Sequence, residues 1–395
     1  MKRRFLSLPL SLLCLFLIIL PLLSLAEKEN TEPKVPVLID RGLDLGTASV
    51  HWPEVTGLEN EEIQNAVNQL LSEAANTNVL TARIAAVMSS EIPLIATWRG
   101  EIRNNILSCV MYAEGPLETE RFRSIYRCVN VDLTTGESFS LEDLFEDPEE
   151  SMEAIEALLT DDIAPDLSAH LMNSDLLPLP EDFLIEDTGL TLFYPAKQLS
   201  TLTDRAGAVT IHWGELDIKF VDGEDGIPAR FGLLEAQDTN PEAFFASFTE
   251  GSVPGIPAKI GSSVEELVAA YHLSGEPDFY DGGRYVELED SRFRGAWIMT
   301  DNLSEKIKQF PDSIVQGIRT DHFSLYGVIA GHDDCTREYI LLEYGEPYAS
   351  VELDQESAET MRLVPGISDY YHAGEYRLRL HYDEEGVLRS IFLLP

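Results

Sequence analysis

Hydrophobic positions recur along this chain with two different periods, one helical and one extended. Ile63, Val67, Leu70, Leu71 and Ala74 fall three and four apart behind Asn60, which predicts a capped amphipathic helix over 60–75. A second helix is predicted behind Asp147, with Pro148 at its first position and Met152, Ile155, Leu158 and Leu159 as its apolar face. Extended runs at 91–113 and 122–133 lie between them and end in the turn Thr134-Thr135-Gly136-Glu137. Shorter strands are predicted at 182–185, 190–194 and 208–213. This mixture predicts an α+β domain over 48–245, an antiparallel sheet with packed helices.

A link punctuated by Gly251, Pro254, Gly255 and Pro257 opens a second α+β domain over 246–395. Ser262 and Glu265 form a capping-box pattern for a helix over 262–274, with Val264, Leu267, Val268 and Tyr271 as its stripe and Gly275 as its stop. The same layout returns later. Gly261 precedes Gly275-Glu276-Pro277 by 14 residues, and Gly331 precedes Gly345-Glu346-Pro347 by 14 residues. Val286-Glu287-Leu288 and Val351-Glu352-Leu353 follow as strands, and a helix over 333–344 matches the first. Two tandem helix–sheet repeats are therefore predicted, 256–325 and 326–395, closed by a hairpin of 376–382 and 387–393. In layout they loosely resemble secreted inhibitor and assembly-factor modules whose sheet face binds another protein.

The first 26 residues stand apart. Lys2-Arg3-Arg4, an apolar run from Phe5 to Leu25, and Ser24-Leu25-Ala26 predict a cleaved secretory signal, the alternative being a retained membrane anchor. A bacterial extracytoplasmic or secreted location follows, with residues 27–47 as a flexible lead. Cys14 lacks the small residue before it that lipidation requires.

Charge narrows the partners. The chain has 69 Asp+Glu against 28 Lys+Arg, a net charge of −41. Without residues 1–26, which hold three basic side chains and no acid, 25 basic and 69 acidic residues leave −44. That balance excludes nucleic acid and disfavours anionic lipid or wall polymers, but suits a cationic partner. Residues 128–196 contain 18 Asp+Glu and no Lys or Arg. They form either an ordinary solvated face or a surface that steers a basic protein, with Glu142, Asp143 and Glu146 as candidate contacts.

Cys109 and Cys128 lie at similar distances from the hairpin tip at Gly115-Pro116, so a disulfide across the hairpin is predicted, the alternative being two buried thiols. Cys335 is left over and reads as a small apolar residue. No catalytic constellation emerges. The eight histidines make no HExxH and no close pair, and GxSxG and P-loop motifs are missing. Gly331-His332-Asp333-Asp334 lacks partners for a metal, and Asp222-Gly223-Glu224-Asp225-Gly226 lacks the ligand spacing of an EF-hand. No enzyme activity, metal or cofactor is expected.

A set of short motifs recurs in order: Trp52-Pro53-Glu54-Val55-Thr56-Gly57, Gln64 with Val67-Asn68, Asn105-Ile106-Leu107-Ser108, Asn130-Val131-Asp132-Leu133 with Thr135-Gly136, Leu141 with Asp143-Leu144-Phe145, Phe183-Leu184-Ile185 with Asp187, Gly189-Leu190 with Leu192-Phe193, and Gly207, Val209 and Ile211. Over about residues 48–220 this set resembles the extracytoplasmic domain of RsiV-type lysozyme-sensing anti-sigma factors and PdaC-type peptidoglycan deacetylases. The resemblance implies an α+β fold and, from the RsiV type, lysozyme capture with Tyr194, Pro195 and Lys197 in the contact segment. Relatives carry an aromatic after that proline, where this chain has Ala196. They also carry a sigma-binding segment ahead of the apolar run, where only Met1–Arg4 stand, so sigma signalling is not expected. The expected function is a secreted, non-catalytic envelope protein binding lysozyme or another cationic wall-active protein. The alternative is a wall-polymer or sugar-binding module that assists peptidoglycan-modifying enzymes, and a purely structural role is a third.

Overall fold

A computed structural model describes residues 35–77, 80, 92–117, 123–160, 179–196, 198, 206–216, 218–270, 278–280, 283–288, 291–293, 295–300 and 313–395. The fold is α+β. The signal segment, Lys197 and the first Gly-Glu-Pro of the repeat lie outside the described residues.

The N-terminal sheet runs in the order of the chain: β1 (Val37–Leu45), β2 (Ala48–Thr56), β3 (Leu94–Arg103), β4 (Ile106–Gly115), β5 (Arg123–Asp132) and β6 (Glu137–Ser138). Only β2 and β3 are parallel, because helix α1 (Glu61–Ala74) lies in the crossover between them. Asn60 caps α1 by accepting from the Glu62 and Ile63 amides, as the sequence predicts. Val67 and Leu71 then pack on Leu107, Cys109, Met111, Val129 and Val131. Asn68 ties helix to sheet through both the N–H and the C=O of Val55. Asn104 and Asn105 take φ of 42° and 64°, the left-handed pair that a two-residue hairpin between twisted strands requires.

Two expectations fail here. The lead predicted as flexible over 27–47 contains β1, which pairs with β2 from Val37 to Leu45. Cys109 and Cys128 are free thiols. Cys109 stands opposite Val129 while Cys128 stands opposite Val110, so the offset of one residue sends the two side chains to opposite faces of the sheet. Cys109 packs under α1 and Cys128 against the other layer.

That other layer is a three-stranded sheet of β7 (Phe183–Glu186), β8 (Gly189–Tyr194) and β9 (Gly207–His212). A buried polar bridge fixes the two sheets together. Ser108 Oγ donates to Asn130 Oδ1 at 2.7 Å and accepts from the Ile185 amide at 3.1 Å, and Asn130 Nδ2 donates to the Phe183 carbonyl at 2.9 Å. Helix α2 (Pro148–Leu158), capped by Asp147, sends Ile155 into a core with Leu144, Ile185, Leu190, Ile211 and Trp213.

Three short helices follow: α3 (Ile227–Phe231), α4 (Leu233–Gln237) and α5 (Pro241–Ala246). Phe244 of α5 and Phe248 belong to the C-terminal core, so the second unit begins before the predicted 246 boundary. Next come α6 (Val264–Ala270), β10 (Asp278–Tyr280), β11 (Gly283–Glu287), β12 (Ala296–Thr300) and β13 (Val315–Thr320). A hairpin, β14 (Phe323–Leu325) and β15 (Val328–Ala330), leads to α7 (Arg337–Tyr344), β16 (Ala349–Leu353), α8 (Gln355–Thr360), β17 (Gly366–Ala373), β18 (Tyr376–Asp383) and β19 (Leu388–Leu394).

The large sheet has the order β10-β11-β12-β13-β19-β18-β17-β16. Strands β10–β13 and β16–β19 form two runs of four antiparallel strands that meet at β13 and β19, with α6 before the first run and α7 and α8 flanking β16 in the second. Helices α6 and α7 both start later than predicted. Ser262 donates to the Lys259 carbonyl rather than capping a helix at 262, and Thr336 caps α7 after a turn. The two units touch through polar links such as the Gly214 amide to Ser324 Oγ at 2.9 Å. No helix among the described residues is long and apolar enough to cross a membrane.

Candidate functional site

Residues 140–156 present one face inward and a strongly acidic face outward. Ser140 and Asp143 close on each other: Asp143 Oδ2 accepts from the Ser140 amide at 2.7 Å and from its hydroxyl at 2.8 Å. That closure buries Leu141 and Leu144 and leaves Glu142 and Asp143 exposed. The Glu146 amide donates to the Lys219 carbonyl at 2.9 Å, which holds its exposed side chain beside α2. Along α2, Ser151 and Ile155 turn inward, so Glu149, Glu150, Glu153 and Glu156 turn outward.

Beside this face lies an open cleft of about 730 Å³. Its floor is apolar, with Leu70, Leu141, Met152 and Phe183, and its rim carries Glu73, Glu142 and Glu181. Polar acceptors on an apolar floor suit a ligand with a cationic head and a hydrocarbon stem.

The acids of this region divide into two groups. Asp132, Asp182, Glu186 and Asp187 each pair with an arginine: Arg230 at 2.5 Å, Arg127 at 3.1 Å, Arg99 at 3.2 Å, and Arg103. These pairs join segments far apart in sequence. Burial pushes the Asp132 carboxyl up, but hydrogen bonds from Arg230 and Thr134 outweigh it and hold its pKa below the usual range. Glu137, Glu142, Asp143, Glu146, Asp147, Glu149, Glu150, Glu153, Glu156 and Glu181 have no Lys or Arg partner among the described residues. Arg99, Arg103, Arg127 and Arg230 are engaged in holding the fold, and the acids from Glu137 to Glu156 are left exposed.

The candidate contacts implied by the family resemblance fare differently. Tyr194 is only 1% exposed, and its hydroxyl finds no hydrogen-bond partner among the described residues, so it is a core residue and not a contact. All of β8 is buried, which explains why. Pro195 is exposed, while Lys197 lies outside the described residues. Glu142, Asp143 and Glu146 sit together on the strip, although Asp143 is engaged in its local turn. Sequence reasoning missed Glu73 and Glu181, because the rim is assembled from α1 and the segment before β7, which only the fold brings together.

Other strings with chemical content are ordinary turns. The Gly226 amide closes on the Gly223 carbonyl at 3.1 Å and leads into α3, and His332 Nδ1 accepts from the Asp334 amide at 3.3 Å. Among the described residues no three His, Cys, Asp or Glu side chains group as a metal site.

The fold and strip define an acidic α+β protein with an open apolar cleft. Three solved structures share slight structural likeness with it. A DUF3298 family member from Bacteroides fragilis has 9% identity and a TM-score of 0.36, over 50% of this chain and 97% of its own. A DUF3298 family protein from Pseudomonas aeruginosa has 12% identity and a TM-score of 0.32, over 48% and 95%. The DUF4309 family protein YjgB from Bacillus subtilis has 13% identity and a TM-score of 0.26, over 39% and 94%. These likenesses are too slight to bear on function. No protein-family model matches the chain, and no curated protein matches it.

Proposed function

We propose that this protein is a non-catalytic, extracytoplasmic binding protein whose N-terminal unit captures a basic protein on the strip around α2. The observation that carries the reading is the group of carboxylates from Glu137 to Glu156 that face solvent with no Lys or Arg partner among the described residues, beside a cleft with an apolar floor. Like charges held this close repel one another, and a cationic surface relieves that repulsion while association is accelerated. The ordered motifs shared with the RsiV type make lysozyme the first candidate. With Tyr194 buried, the contacts would come from Glu142, Glu146 and α2 instead.

The test is titration of the chain lacking residues 1–26 with lysozyme at about 20 mM and about 500 mM salt, where screening shortens from tens of Å to a few Å. The reading requires binding at low salt that weakens at high salt. Absence of binding at low salt removes lysozyme as the partner. Salt-independent binding removes the charge mechanism and favours sugar- or polymer-type contacts.

A further inference from the structure

The eight-stranded sheet carries its main core on one face. Across the other face runs a row of directly opposed residues: Trp297 with Arg319, Arg319 with Phe392, Phe392 with Arg379, and Arg379 with Tyr370. The Arg319 guanidinium lies 5.6 Å from both the Trp297 and Phe392 rings, and that of Arg379 lies 4.5 Å from Phe392 and 5.9 Å from Tyr370. Both arginines are deeply buried, 5% and 6% exposed.

They are not equally satisfied. Arg319 makes two bonds to the Asp321 carboxylate, at 2.7 and 2.8 Å. Arg379 has no carboxylate partner among the described residues. Its Nε donates to Ser368 Oγ at 3.0 Å, and both terminal nitrogens point at Met361 Sδ, each at 3.7 Å. Burial, joined by the like charge of Arg319, lowers the Arg379 pKa. A thioether is a weak acceptor, and a buried guanidinium bonded mainly to one is poorly compensated.

Met361 is held from both sides. Its carbonyl accepts from Arg319 Nη1 at 3.2 Å while its sulfur faces Arg379, and the side chain remains partly exposed just after α8.

We propose that Met361 is an oxidation site, converted by a peroxide to the sulfoxide, whose oxygen then accepts the two terminal N–H groups of Arg379. In this step a sulfur lone pair attacks one peroxide oxygen, the O–O bond breaks and an S–O bond forms. The departing hydroxide takes the proton of the transferred oxygen and leaves as water. Sulfur is oxidised by two electrons and the peroxide is reduced by two. A turn about the last side-chain bonds brings the oxygen onto Arg379. Sulfoxides in most cores disrupt packing. Here a weak acceptor is exchanged for a strong one facing a buried cation, so oxidation strengthens the sheet.

The experiment treats the intact chain, Met361→Leu and Met361→Gln with hydrogen peroxide, reading site occupancy by peptide mass spectrometry and melting by calorimetry. Met152, also partly exposed and packed on the N-terminal core with no arginine hydrogen bond to its sulfur among the described residues, is the internal reference. Oxidised wild type should melt about 2–4 °C above equally oxidised Met361→Leu. Met361→Gln, which offers an amide oxygen without any oxidant, should exceed Met361→Leu by a similar amount. The proposal fails if sulfoxide at Met361 lowers the melting temperature relative to Met361→Leu. It fails equally if Met361→Gln melts at or below Met361→Leu, or if Met361 stays reduced once Met152 is fully oxidised.

Discussion

Asp369 and Arg337 form an ion pair that is buried on one side only, and that asymmetry predicts unequal consequences for its two halves. Asp369 is 0% exposed, and its carboxylate accepts from Arg337 Nε at 2.7 Å, Arg337 Nη2 at 3.2 Å and Ser350 Oγ at 2.6 Å. The Arg337 side chain keeps 30% of its surface in solvent. Replacing Arg337 by Met removes two charge-assisted bonds and leaves a buried carboxylate with one hydroxyl, a loss of about 3–5 kcal/mol. Asp369→Asn removes the charge but keeps an acceptor, and the guanidinium left behind reaches water, so the loss is about 1–2 kcal/mol. The difference of about 2 kcal/mol is roughly a 30-fold change in the folded-to-unfolded ratio. Urea unfolding followed by tryptophan emission and circular dichroism measures it, with unchanged slopes required of a pure stability effect. Equal losses, or a greater loss for Asp369→Asn, would refute the reasoning that desolvation of the carboxylate dominates.

Three further outcomes are expected. Hydrogen bonds to Asp40 first and Asp44 second raise the His51 pKa, so its stabilisation of β1 is complete below the ordinary histidine value of about 6.5 and is lost as pH rises through the raised value. Amide exchange in β1 should therefore be slower at about pH 5.5 than at about pH 8.5 once corrected for intrinsic rates, and His51→Gln should abolish the difference. Cys109, which is buried and whose pKa burial pushes up to about 12, should react with an alkylating agent only after unfolding, while Cys128, partly exposed at the cleft, should react in the folded protein but slowly, because burial raises its pKa as well; a 109–128 disulfide peptide in oxidised material would contradict the register. Asn105→Val should destabilise by about 1–2 kcal/mol in urea, since a β-branched residue resists the left-handed conformation at φ 64°; no change would mean the turn relaxes.

What the sequence revealed was local. Asn60 and Asp147 cap where the pattern places them, because a cap and its helix lie within a few residues of each other. In the C-terminal unit the helix starts depended on turns at Ser262 and 331–336 that no periodicity reports. The cysteines were misread because counting steps from a hairpin tip is uncertain by one residue, and one residue reverses the face. Tyr194 lies in a strand buried on both faces, where alternation disappears and a surface contact looks the same as core. Of the site, the acid-only stretch was visible in the sequence. Which acids are neutralised was not, since Arg230 reaches Asp132 across 98 residues.

The central claim is that the strip around α2 recruits a cationic protein by charge. Stopped-flow association of lysozyme with the chain lacking residues 1–26 tests it most directly, compared with a variant carrying Glu142, Glu146, Glu149, Glu150 and Glu153 as Gln. The account predicts an association rate at low salt reduced at least ~10-fold in the variant, with the two proteins converging at high salt and dissociation changed far less. An unchanged association rate, with wild-type salt dependence retained in the variant, would contradict it.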